Sequence, residues 1–231
     1  SPFSAGVRYV LGIAHYKGGQ DTQALKNLQA YLKSPRPGKV ESLWAHAVAG
    51  MIRKRQGVCD SAIRHFEVVL QADPRFPPRG SAAWGLAECL YEKKDYHSAA
   101  KKYAAYLETY AKSPQITLAR IRAGHSHFLA GRYQDALGYF RKLAKENVPP
   151  QYRQWVLYWT ARSLDLSGDP LAEAEEVMAE MERWDCRLLQ VGEDEDPEDP
   201  RVQKHVLLVG NKADLSGADD AFEMLQELYS D

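Results

Sequence analysis

The sequence predicts an all-α solenoid of about five to six helical hairpins wound into a right-handed superhelix, and three observations carry that expectation. Alanines recur at Ala24, Ala62, Ala99, Ala136 and Ala174, in steps of 38, 37, 37 and 38 residues. Four positions after each stands a large apolar or aromatic residue, at Leu28, Phe66, Tyr103, Phe140 and Met178, a spacing that places both on one helical face. Turn signals and proline-bearing loops alternate between these positions. A fixed period of this length marks stacked supersecondary units, each too small to bury its apolar face alone.

Within each unit the order of elements follows from local chemistry. Twelve residues before the first four alanines stand Gly12, Gly50, Ala87 and Gly124, small enough to let a first helix approach the second closely. The turns between the two helices read Lys17-Gly18-Gly19-Gln20-Asp21, Gln56-Gly57-Val58-Cys59-Asp60, Lys93-Lys94-Asp95-Tyr96 and Ala130-Gly131-Arg132-Tyr133, combinations that favour chain reversal. Each hairpin then closes at a proline, in Ser34-Pro35-Arg36-Pro37, Asp73-Pro74, Ser113-Pro114 and Val148-Pro149-Pro150. Proline lacks the amide a helix interior needs, so the hairpin ends there. A fifth unit spans Gln151 to Trp184 with Gly168-Asp169-Pro170 as its turn. The expected organisation is an array over 5–184, an acidic linker over 185–200, and a sixth hairpin or C-terminal cap over 201–231.

Two segments, Ala87 to Ala99 (AECLYEKKDYHSA) and Gly124 to Ala136 (GHSHFLAGRYQDA), resemble the tetratricopeptide repeat: a small residue, an apolar or aromatic residue, a turn, an aromatic, an alanine. Four of the five units match well across residues 5 to 147. Their step is longer than the family's usual period of about 34 residues, and with Tyr110-Ala111-Lys112-Ser113-Pro114 before the next helix the chain also resembles bacterial outer-membrane assembly lipoproteins. The resemblance implies a protein or peptide partner held on a concave face built from the first helices. It also implies membership of a multiprotein complex. The Lys and Asn clamp with which some members grip acidic chaperone tails is replaced here by aromatic and apolar residues, which disfavours that use.

In the repeat register, the first-helix face carries Tyr9, Ile13 and Tyr16, then Trp44, Met51 and Arg55, then Trp84, Glu88 and Tyr91. It continues with Ile121, His125 and Phe128, and ends with Trp155, Tyr158 and Arg162. A contiguous aromatic surface is costly to leave in water and commonly marks a contact. One expectation is a groove for an apolar or amphipathic segment, oriented by Arg55, Glu88 and Arg162. The alternative is that these rings pack between hairpins, since a shift of one residue in register would turn them inward.

Composition narrows the function classes. With 30 basic and 31 acidic residues and a net charge of -1, no global field draws the chain to nucleic acid or to an anionic membrane. The basic groups at Arg53-Lys54-Arg55 and Lys93-Lys94 are interrupted by acids, so nucleic acid is a disfavoured partner. No apolar run is long enough to span a membrane, no signal peptide is visible, and the compartment stays open between cytoplasm and bacterial periplasm. Cys59, Cys89 and Cys186 are too far apart for a disulfide framework or a zinc-ligand motif and read as core residues. His125 and His127, two apart on a helix, do not face one another.

No nucleophile motif is present, and neither a cofactor, a metal nor a catalytic residue is expected. Val206 to Leu215, with Asn211, Lys212 and Asp214, resembles the guanine-reading segment of small GTPases, but the chain has no GxxxxGK[ST] phosphate loop. The run from Gly192 to Pro200 carries six acids among nine residues and reads as a solvated linker. The function expected is therefore a scaffold or adaptor rather than an enzyme. The alternatives are a regulatory or substrate-recruiting region of a larger enzyme or assembly, and a self-assembling structural protein.

Overall fold

The computed structural model describes residues 2–146 and 148–167; the second helix of the fifth hairpin, Cys186, the acidic run, the Asn211-to-Asp214 string and the expected cap lie outside the described residues. Among the described residues every regular element is a helix: α1 (Pro2–Lys17), α2 (Asp21–Leu32), α3 (Lys39–Arg55), α4 (Cys59–Leu70), α5 (Arg79–Glu92), α6 (Tyr96–Thr109), α7 (Ile116–Leu129), α8 (Tyr133–Ala144) and α9 (Pro150–Ser167). They fall into two compact units divided at Ile116 and Thr117.

The repeat positions form the core. Ala24, Ala62, Ala99 and Ala136 are each fully buried, and Leu28, Phe66, Tyr103 and Phe140 are at most 1% exposed. The small residues opposite them are required for contact. A Cβ on Gly12 would stand 2.6 Å from the Leu28 side chain, one on Gly50 2.6 Å from Phe66, and one on Gly124 2.7 Å from Phe140. Gly85 meets Phe66 from the other side at the same 2.6 Å. The Phe66 ring is thus gripped by α3 of its own hairpin and α5 of the next, which is how one hairpin stacks on its neighbour.

The turns repeat as closely as the cores. In each of the first four hairpins, two amides reach back to close the first helix: Gln20 donates to the His15 carbonyl and Gly19 to Tyr16, Val58 to Arg53 and Gly57 to Lys54. Asp95 likewise donates to Leu90 and Lys94 to Tyr91, Arg132 to His127 and Gly131 to Phe128. This paired closure needs a left-handed residue at one fixed place. Gly19, Gly57 and Gly131 occupy it with φ of 72° to 73°, and Lys94 occupies it at φ 62°.

In the first unit the cores run through Ala24, Leu28, Tyr31 and Ile52, and through Phe66, Val69, Leu86 and Cys89. In the second unit, Phe140, Leu143, Val156 and Leu157 form the centre. The buried hydroxyls there turn back on their own helix: Ser126 donates to the Arg122 carbonyl at 2.7 Å, Thr160 to Val156 at 2.8 Å and Ser163 to Trp159 at 2.6 Å.

Candidate partner-binding site

The first-helix rings predicted from the sequence are mostly half-buried, and each has neighbours within its own unit. Tyr9 lies 5.3 Å from the Tyr31 ring and Ile13 packs on the same core. The Tyr16 hydroxyl donates to Met51 Sδ at 3.7 Å, and the Arg55 guanidinium stands 5.7 Å from the Tyr16 ring while both its arms bond Asp21. Trp44 remains 37% exposed and meets Phe76 edge-on. Trp84 rests against Tyr103 and Tyr106, and Tyr91 against Tyr96. Glu88 accepts from the Tyr103 hydroxyl and faces Lys54 at 3.7 Å.

In the second unit, Ile121 departs from expectation. It is 3% exposed and belongs to the core with Leu137 and Phe140, because α7 buries more than one face, with Ala119 and Ala123 buried on the side away from Ile121. His125 contacts Trp155 and Trp159, Phe128 contacts Tyr133 and Trp159, and Trp155 also meets Phe140. Tyr158 is 47% exposed with its edge to Trp159, and Arg162 pairs with Asp165 at 3.0 Å. Trp159 is the hub of this cluster, yet it lies one place beyond Tyr158 and escaped the sequence register. Burial pushes the His125 imidazole down to about 4, with the Arg122 charge adding to the effect.

One concave site among the described residues lies in the first unit. A pocket of about 430 Å³ opens between α3, α5, α6 and the loops at either end of that hairpin. Met51, Phe66, Trp84, Tyr106 and Tyr110 form its apolar wall, while Lys54, Ser81, Ser113 and Gln115 supply polar groups. Met51 and Trp84 were foreseen. Tyr106 and Tyr110 were not, because they sit on the second helix, α6, and at its C-terminal cap, and enter only through its angle to α5. Their rings lie 5.0 Å apart with tilted planes, and the Tyr106 hydroxyl shares a 2.7 Å hydrogen bond with Ser113 Oγ, which fixes one wall.

Two polar clusters were also missed. His46 on α3 and His65 on α4 share a 2.8 Å hydrogen bond between their Nδ1 atoms, so one must donate and the other accept. Burial lowers both, His65 to about 4 with the His46 charge contributing. Cys59 and Cys89, thirty residues apart in sequence and both buried, converge with Glu92. The Cys59 thiol donates to Glu92 Oε2 at 3.1 Å, and burial holds both thiols above the usual range.

A tetratricopeptide-repeat family model matches residues 48–114, which run from the middle of α3 to the loop after α6. That segment, the second and third hairpins in large part, is similar to the tetratricopeptide repeat. Solved structures bear out the fold beyond that segment. MamA AMB-1 is 19% identical with a TM-score of 0.61, covering 80% of this chain and 93% of its own. MamA MSR-1 is 18% identical with a TM-score of 0.55, covering 78% and 98%. The TPR-like repeats of a Podospora anserina kinesin light chain, named as putative, are 15% identical with a TM-score of 0.54, covering 79% and 95%. No curated protein matches this chain by sequence. Among its described residues no helix is long and apolar enough to cross a membrane.

Proposed function

We propose that this chain is a protein-interaction scaffold that seats an apolar or amphipathic segment of a partner protein in the aromatic pocket of its first unit. The observation that carries the reading is the pocket itself. It joins five large apolar side chains to Lys54, Ser81, Ser113 and Gln115, the mix of aromatic anchor and sparse polar groups that binding pockets use. Its volume suits one or two large side chains rather than a whole helix, so the partner contributes an anchor residue.

The test is peptide selection from a random display library on the immobilised chain, followed by anisotropy titration of the selected sequences. Ser81 is exposed at the pocket wall, so Ser81→Trp fills the space without entering the core. Selected peptides should share an aromatic or large aliphatic anchor, and the substitution should weaken them roughly tenfold or more, as when an anchor is shut out. Retained affinity in Ser81→Trp would overturn the assignment. Concentration-dependent mass in light scattering that Ser81→Trp abolishes would make the occupant a second copy of the chain.

A further inference from the structure

We propose that Cys59, Cys89 and Glu92 form a three-ligand site for zinc at the junction of the second and third hairpins. Their ligand atoms, two sulfurs and one carboxylate oxygen, all lie within 4.8 Å of one another. A tetrahedral zinc with Zn–S near 2.3 Å and Zn–O near 2.0 Å sets its ligands roughly 3.5 to 3.8 Å apart. The Cys59–Glu92 separation of 3.1 Å must open by a few tenths of an ångström, a motion open to an exposed glutamate. Two thiolates with one carboxylate suit a borderline-soft cation, and the fourth position is left to water on the Glu92 side.

The frame that presents these groups is stiff. Cys89 and Glu92 are three apart on α5 and so share a face. Cys59 is the first residue of α4, which packs directly on α5. Beside them, Lys93 pairs with Asp60 across the same junction. Lys54, the nearby charge that opposes a cation, is faced by Glu88.

The preceding junction shows what this position does when it is not so furnished. There the residues in the same repeat places as Cys59, Glu92 and Cys89 are Asp21, Arg55 and Ile52. Asp21 and Arg55 form an ion pair, and Ile52 is fully buried beside it. At the second junction the ion pair has moved one residue along, to Asp60 and Lys93. The vacated place holds three groups that are all metal ligands and that become like charges once deprotonated. A divalent cation resolves that arrangement as Arg55 resolves it one repeat earlier. Binding makes two sulfur–metal bonds and one oxygen–metal bond, and releases the two thiol protons to solvent. It would also pin the start of α4 to the end of α5.

Cobalt(II) alone reports the site directly. Titrated into the full chain under a non-thiol phosphine reductant, it should give one equivalent of saturable binding with a sulfur-to-cobalt charge-transfer band and the visible bands of a tetrahedral ion, and zinc should displace it. Cys59→Ser and Cys89→Ser should each abolish the charge-transfer intensity that belongs to that sulfur. Glu92→Gln, at an exposed side chain that leaves the fold intact, should weaken binding on the order of tenfold or more. Cys186→Ser should change nothing. Absence of the band in the wild-type chain, its survival in Glu92→Gln at full affinity, or its loss in Cys186→Ser would each overturn the site. So would a Cys59–Cys89 disulfide that persists under the reductant.

Discussion

The second and third hairpins, α3–α4 and α5–α6, share one backbone plan and fill it with different chemistry. At the central position of the second helix one has Phe66 and the other Tyr103, both buried. Facing that position from the first helix, fifteen residues earlier in each case, are Met51 and Glu88. The swap is paired. A buried phenol needs an acceptor and Glu88 accepts from it, whereas a phenyl ring needs none and meets Met51, which is partly buried against the same core. The turns differ likewise, with Gly57 in one and Lys94 in the other at the same left-handed place. The His46–His65 pair of the second hairpin is replaced in the third by Ala83 and Lys102. Repeat geometry is therefore held by size and backbone, and polar pairs can be exchanged so long as both partners change together.

The comparison breaks hardest where the two hairpins touch. Gly50→Val drives side-chain atoms into a Phe66 ring already held by Gly85 on its far side. It should destabilise the first unit by about 3 kcal/mol in urea unfolding. Glu88→Met should cost about 1 to 3 kcal/mol by removing the acceptor that it supplies to the buried Tyr103 hydroxyl. Adding Tyr103→Phe, which copies the second hairpin, should recover most of that loss. Simple additivity of the two changes would show that the phenol and carboxylate are not coupled.

A smaller difference appears in acid. Burial lowers His46 and lowers His65 to about 4, below the unfolded value of about 6.5. The unfolded chain therefore binds more protons in that window, and stability present above pH 6.5 is lost as pH falls toward 4. Grafting the third hairpin's residues, as His46→Ala with His65→Lys, should flatten the fall of the thermal midpoint between pH 7 and 5, leaving the part owed to His125 in the second unit. The smallest effect belongs to the turn. Lys94→Gly relieves a left-handed lysine and should stabilise by about 0.5 to 1 kcal/mol, and Gly57→Lys should lose a similar amount.

The hairpins themselves were legible because each depends on signals a few residues apart: an alanine and a ring four apart, a glycine at a turn, a proline after the helix. Gly12, Gly50 and Gly124 were recognised as close-approach points, and the structure sets each against the expected ring. The candidate site was legible only in part. Met51 and Trp84 do line the pocket, but Tyr106 and Tyr110 come from a second helix and its C-terminal cap, which first-helix periodicity does not sample. Ile121 reads as a face residue by spacing and is core by packing. Cysteines thirty positions apart carry no sequence signal of proximity, because nothing local couples them.

By itself the sequence determined the helical class, the repeat and the interlock of small and large residues, since these follow from helix periodicity and from local steric limits on glycine and proline. Only the tertiary structure decided which half-buried rings meet, where the pocket opens, and that Cys59, Cys89 and Glu92 converge. Those outcomes depend on how α4 lies against α5 and α6 against α5. Such angles are set by the fit of many side chains across a junction, and a one-dimensional period contains the order of the contacts but not their directions.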